Sequence, residues 1–67
     1  MMNSDNTPVA VGQIRESNAG VTFEVLAINS NGLAICQTLG EEGSWTSSVT
    51  FLNGASKFLR KADGKQR

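Results

Sequence analysis

A chain of 67 residues with one cysteine, no histidine and a formal net charge of zero makes one domain and excludes an intrachain disulfide framework. A single thiol without histidine cannot build a zinc site of the usual kind, and no other residue pattern asks for a cofactor. No apolar run reaches the ~18 residues of a membrane span, and the polar start of the chain lacks the basic and apolar parts of a secretory signal, so the expectation is a cytoplasmic protein.

The charge is unevenly spread. Residues 1–56 hold one base, Arg15, against five acids, Asp5, Glu16, Glu24, Glu41 and Glu42, a balance of −4. Residues 57–67 hold five bases, Lys57, Arg60, Lys61, Lys65 and Arg67, against Asp63, a balance of +4. An acidic body therefore carries a basic C-terminal end.

In chain order, residues 1–8 read as a disordered leader, residues 9–61 as the folded domain and residues 62–67 as a basic flexible tail. Residues 9–15 are the first candidate strand, followed by a turn cluster at residues 17–20. Residues 21–28 form the clearest strand. Val21, Phe23 and Val25 share one face, then Leu26 and Ile28 are apolar on the other, and this change of face predicts a bulge or bend. Asn31-Gly32 reads as a two-residue hairpin turn, which sets Ile28 opposite Ile35, Ala27 opposite Cys36 and Val25 opposite Thr38.

Residues 33–39 alternate as the third strand and residues 40–44 form an acidic loop. Residues 45–51 read as a fourth strand. Asn53-Gly54 is a second turn, placing Val49 opposite Phe58. Residues 57–61 close the pattern as a fifth strand, with a short helix over residues 55–61 as the rival reading. The fold class that follows is all-β, a small five-stranded barrel or a strongly bent antiparallel meander.

Four features in order carry a family resemblance: Val11-Gly12-Gln13-Ile14, the run Phe23-Glu24-Val25-Leu26-Ala27-Ile28, the Asn31-Gly32 hairpin with Leu33-Ala34-Ile35, and Val49-Thr50-Phe51 followed by Lys57-Phe58-Leu59-Arg60. With this rhythm, residues 9–61 resemble the SH3-like small barrels, a group that includes Tudor-type and KOW-type modules and many short proteins of phages and mobile elements. The resemblance implies a compact binding scaffold whose function is set by loops and one face. With one Trp and no Tyr, the chain departs from the aromatic-rich surfaces by which such domains bind proline-rich peptides.

Candidate chemistry is sparse. Cys36 lies mid-strand without a histidine to activate it and reads as a small buried hydrophobe. Glu41 and Glu42, in a glycine-flanked loop, lack the several spaced oxygens of a calcium site and read as solvated charge. Trp45 is either a contact residue, as large aromatics are in interfaces, or the plug of a small core.

Two uses of the surface follow. In the first, the chain is a non-catalytic protein-binding module, an accessory or inhibitor protein of a phage or mobile element that occludes a surface on a host protein. Glu41, Glu42 and Trp45 form one contact patch, and Arg60 and Lys61 another. In the alternative, Lys57, Arg60, Lys61, Lys65 and Arg67 grip nucleic-acid phosphates. A third use sets the basic end of one copy against the acidic body of another or of a partner. A core this small gains from burying surface against a copy of itself, which leaves monomer and homodimer both open.

Overall fold

The computed structural model describes residues 7–62. It contains strands β1 (Gln13–Ser17), β2 (Thr22–Ile28), β3 (Leu33–Thr38) and β4 (Trp45–Ser48), a short helix α1 (Val49–Ala55), and strand β5 (Ser56–Lys61). The strands form one antiparallel sheet in the order β4-β3-β2-β1-β5. Among the described residues, no helix is long and apolar enough to cross a membrane.

The five antiparallel strands match the expected class, but the sheet is not closed into a barrel: β4 and β5 stand at its opposite edges. The reason lies in the segment between them. Asn53-Gly54 does not turn a hairpin; both residues lie inside α1. The fourth strand accordingly ends at Ser48 rather than at residue 51, and Val49 does not face Phe58. Ser48 caps the helix by accepting the Phe51 N–H on its hydroxyl at 2.9 Å. Its extended backbone and side-chain oxygen are what an N-cap requires. Leu52 is buried and Val49 packs against the core, and this burial outweighs the weak helix propensity of β-branched residues and glycine. The strand reading of residues 57–61 holds over its rival, with Ser56 added.

The first strand also shifts. Residues 9–12, expected as strand, form an arm and a turn instead. The Val9 N–H donates to Asn53 Oδ1 at 2.8 Å, and Gly12 takes a φ of +89°, a region that favours glycine. The turn cluster at residues 17–20 is present, with Ser17 N donating to Val21 O at 2.8 Å and Gly20 N to Ser17 O at 2.9 Å.

In β2 the expected bulge appears: the register with β3 shifts between Val25 and Ala27. The hairpin register itself differs from the expectation, by one residue at Ala27 and Ile28 and by two at Val25, beyond the bulge. Val25 faces Cys36, Ala27 faces Ile35 and Ile28 faces Ala34. The loop is longer than Asn-Gly alone. Asn29 N donates to Leu33 O, and Asn29 Oδ1 accepts from Asn31 N at 2.8 Å and Leu33 N at 3.1 Å. Gly32 has φ +83° and no other loop residue has positive φ, which fits a three-residue loop ending in a left-handed glycine rather than a two-residue turn needing two such residues.

Paired residues share a face of the sheet. On the inner face, Phe58, Arg15, Phe23 and Thr38 follow one another across β5, β1, β2 and β3, and Val25, Cys36 and Trp45 across β2, β3 and β4. Val9, Phe23, Val25, Ala34, Cys36 and Leu52 form the core cluster, with Ile28, Trp45 and Val49 packed against it. On the outer face, Arg60, Ile14, Glu24 and Gln37 make one row and Lys57, Glu16 and Thr22 another.

Candidate functional site

The acidic candidates lie at one edge of the sheet. Glu41 and Glu42 are exposed in the loop between β3 and β4. That loop is held at its start by Glu41 N donating to Thr38 O at 3.1 Å, and by Gln37 Nε2 donating to Glu41 O at 3.0 Å. Trp45 opens β4 directly after the loop. Its indole N–H donates to Thr38 Oγ1 at 3.0 Å, and its ring meets Phe23 edge-on, with centroids 5.1 Å apart and planes at 65°. Trp45 thus buries one side against the core and keeps part of its ring in solvent, as an amphipathic aromatic does at a core margin.

The basic candidates lie at the other edge. Lys57, Arg60 and Lys61 are all exposed on β5. Lys57 Nζ stands 3.6 Å from Glu16 Oε1 across the β1–β5 pair. No such pair is formed by Arg60 or Lys61 among the described residues. Lys65 and Arg67 lie outside the described residues, as do residues 1–6 of the expected leader. The two expected contact patches are therefore separate, with β3, β2 and β1 between them.

Concavity is modest. A depression of about 240 Å³ is lined by Glu16, Ser17, Asn18, Gly20 and Lys57, below the usual size of a small-molecule pocket. No three His, Cys, Asp or Glu residues converge as metal ligands among the described residues. Cys36 is fully buried, and loss of hydration pushes its thiol up to about 11. It is therefore protonated at neutral pH, and the reading of Cys36 as a small buried hydrophobe holds.

The residue that the sequence does not single out is Arg15. Counted only as the lone base of the acidic body, it is fully buried. Its Nε donates to Ser56 Oγ at 2.9 Å and its Nη2 to Ser56 O at 3.2 Å. Its Nη1 donates to Gln13 Oε1 at 2.8 Å and to Thr7 O at 3.0 Å. All four acceptors are neutral, so the positive charge is solvated by dipoles, and burial lowers its pKa from the ordinary arginine value. Gln13 extends the network by donating to Pro8 O at 2.9 Å and accepting from Ala10 N at 3.2 Å. Ser56 Oγ donates on to Leu52 O at 2.6 Å. Buried polar groups satisfied this fully set the path of the chain around them. Arg15 is an organiser of the fold, and no local pattern in residues 13–17 marks it as such.

Compared with known proteins, the chain matches no family model, no curated protein and no solved structure.

Proposed function

We propose that the chain is a non-catalytic binding module that acts through the two edges of its sheet. The observation that carries this reading is the segregation of charge: exposed Glu41 and Glu42 beside β4, exposed Arg60 and Lys61 on β5, at opposite margins of one small sheet. Exposed charge of one sign in one place steers a partner of the other sign and sets its orientation. Trp45 adds a partly exposed aromatic beside the acidic loop, and such residues contribute most where they become desolvated in an interface. The resemblance to SH3-like barrels and to short proteins of phages and mobile elements extends the reading to an accessory or inhibitor protein that covers a surface on a larger host protein.

The test is capture of a partner from the native host with the tagged full chain, repeated with Arg60→Ala/Lys61→Ala and with Glu41→Ala/Glu42→Ala. A partner retained by the parent chain and lost by one of the pairs supports the reading. A partner retained equally by all three proteins, or turnover of a substrate by the purified chain, overturns it.

The alternative is nucleic-acid binding by Lys57, Arg60, Lys61, Lys65 and Arg67, and the exposure of Arg60 and Lys61 at the end of β5 favours it. Titration of labelled DNA and RNA at low and high salt separates the two readings, because phosphate contacts weaken steeply as salt rises. Lack of binding at low salt removes the alternative.

A further inference from the structure

Both margins of the sheet are open. Among the described residues β4 pairs only with β3, and β5 only with β1. Each edge strand therefore presents a row of backbone N–H and C=O groups to any strand that can approach. What can approach is limited by charge. Edge strands are commonly protected by cations and bulges, and β5 has both: Arg60 and Lys61 are exposed, and its register with β1 shifts between Ile14 and Arg15. These features deter a neutral or basic strand. The cations do not deter one flanked by acid, while the bulge weakens pairing with any strand, and β4, entered from the Glu41-Glu42 loop, is such an acid-flanked strand.

We infer that the chain associates with a second copy of itself, β5 of one copy adding antiparallel to β4 of the other, with Arg60 and Lys61 of the first beside Glu41 and Glu42 of the second. This rests on the edge-binding reading above and names its partner. The direction follows from the positions of the charges. The acidic loop precedes Trp45, at the start of β4, while Arg60 and Lys61 stand at the end of β5. Antiparallel addition brings these ends together. Parallel addition brings the start of β5 there instead, where Lys57 is already paired with Glu16.

The symmetric pairings are poorer. Antiparallel β5 with β5 sets Arg60 and Lys61 near Lys57 of the copy, cation against cation. A β4 with β4 pairing joins two uncharged four-residue strands with no charge to fix their register. Joining β5 to β4 leaves one free edge on each copy, so association extends with concentration unless the rotation closes a ring. The short β4 and the exposed position of the charges make the contact weak and sensitive to salt.

Sedimentation velocity of the full chain over a range of concentrations, at low and high ionic strength, tests this. The expected result is a mean mass that rises with concentration at low salt and returns to monomer at high salt. Arg60→Glu/Lys61→Glu and Glu41→Lys/Glu42→Lys each weaken self-association by about tenfold or more, and an equimolar mixture of the two variants restores it. Circular dichroism confirms that both variants keep the sheet. A chain that stays monomeric at every concentration in low salt overturns the inference, as does association that survives both reversals or strengthens with salt. Loss of a host partner on the same substitutions, in a chain that is itself monomeric, leaves the binding-module reading standing and this inference overturned.

Discussion

The guanidinium of Arg15 donates to the backbone carbonyl of Thr7 at 3.0 Å, and through this bond a buried charge in β1 holds the arm that precedes it. The arm is fixed at three further points: Pro8 O and Ala10 N by Gln13, and Val9 N by Asn53. Between these points the Val9 side chain enters the core. The arm is therefore one wall of the core, and Arg15, set between Phe23 and Phe58 on the inner face, joins that wall to the sheet and to Ser56.

Replacing Arg15 by leucine removes the guanidinium donors to buried Ser56 and one of the two donors to Gln13 Oε1. An orphaned buried polar group costs about 1–3 kcal/mol, a large part of the roughly 3–5 kcal/mol a domain of this size supplies. A large fall in the urea midpoint is expected. Arg15→Lys restores little, because one ammonium cannot reproduce the planar fork that reaches Ser56, Gln13 and Thr7 together. Arg60→Ala, on the exposed edge, changes stability by less than about 0.5 kcal/mol. Equal midpoints for the Arg15 and Arg60 variants contradict this account.

The hairpin between β2 and β3 makes a second comparison. Asn29 carries two hydrogen bonds to the loop backbone, whereas Asn31 lies at a backbone conformation open to any residue, since the loop's positive φ belongs to Gly32. Asn29→Ala is expected to cost about 1 kcal/mol and Asn31→Ala to be close to neutral. Gly32→Ala is expected to cost about 1–2 kcal/mol, from the left-handed conformation alone. Thermal or urea unfolding of the three variants ranks them. A two-residue Asn-Gly turn would reverse the order of the two asparagines.

Ser48 distinguishes helix from strand over residues 49–55. As an N-cap it satisfies the Phe51 N–H, and Ser48→Ala is expected to cost about 1 kcal/mol. Ser48→Asp retains the cap. Were residues 45–51 one continuous strand, both changes would fall on an exposed edge and be nearly silent. Backbone chemical shifts of residues 49–55 check the helix directly, and strand-like shifts there would refute it.

How far these features can be read from the residues depends on the range of the interaction. The alternation of Phe23 and Val25, the bulge at Leu26 and the buried Ala34 and Cys36 of β3 are period-2 signals within single strands, and they are legible. The two Asn-Gly pairs mislead because something outside each pair decides. Asn29 supplies a side-chain acceptor that lengthens the first loop, and burial of Leu52 makes a helix around the second. Ser48 as a capping residue, with apolar Val49 and Leu52 three residues apart behind it, is the available helical sign. Arg15 is illegible for a stronger reason. A lone arginine is usually at the surface, and its four acceptors come from residues 7, 13 and 56, which only the fold brings together. At the candidate site, the signs of the charges are legible, but their separation onto opposite edges follows from the strand order.

Cys36 sets an alkaline limit on stability. Its thiol titrates near 9.0 when hydrated and is pushed up to about 11 by burial in the folded chain. Above pH 9 the unfolded chain releases this proton while the folded chain keeps it, so the native state binds more protons and stability falls with rising pH. The contribution is fully present below about pH 9 and is lost as pH rises toward 11, with a slope of up to about 1.4 kcal/mol per pH unit. Cys36→Ala lowers stability at neutral pH by leaving a small cavity, but it removes this slope. The parent and variant curves, measured by urea unfolding from pH 7 to 11, are expected to converge above pH 9. Parallel curves across that range would mean that the thiol ionises in the folded chain as readily as in the unfolded one, and that Cys36 is not sealed between Val25 and Trp45.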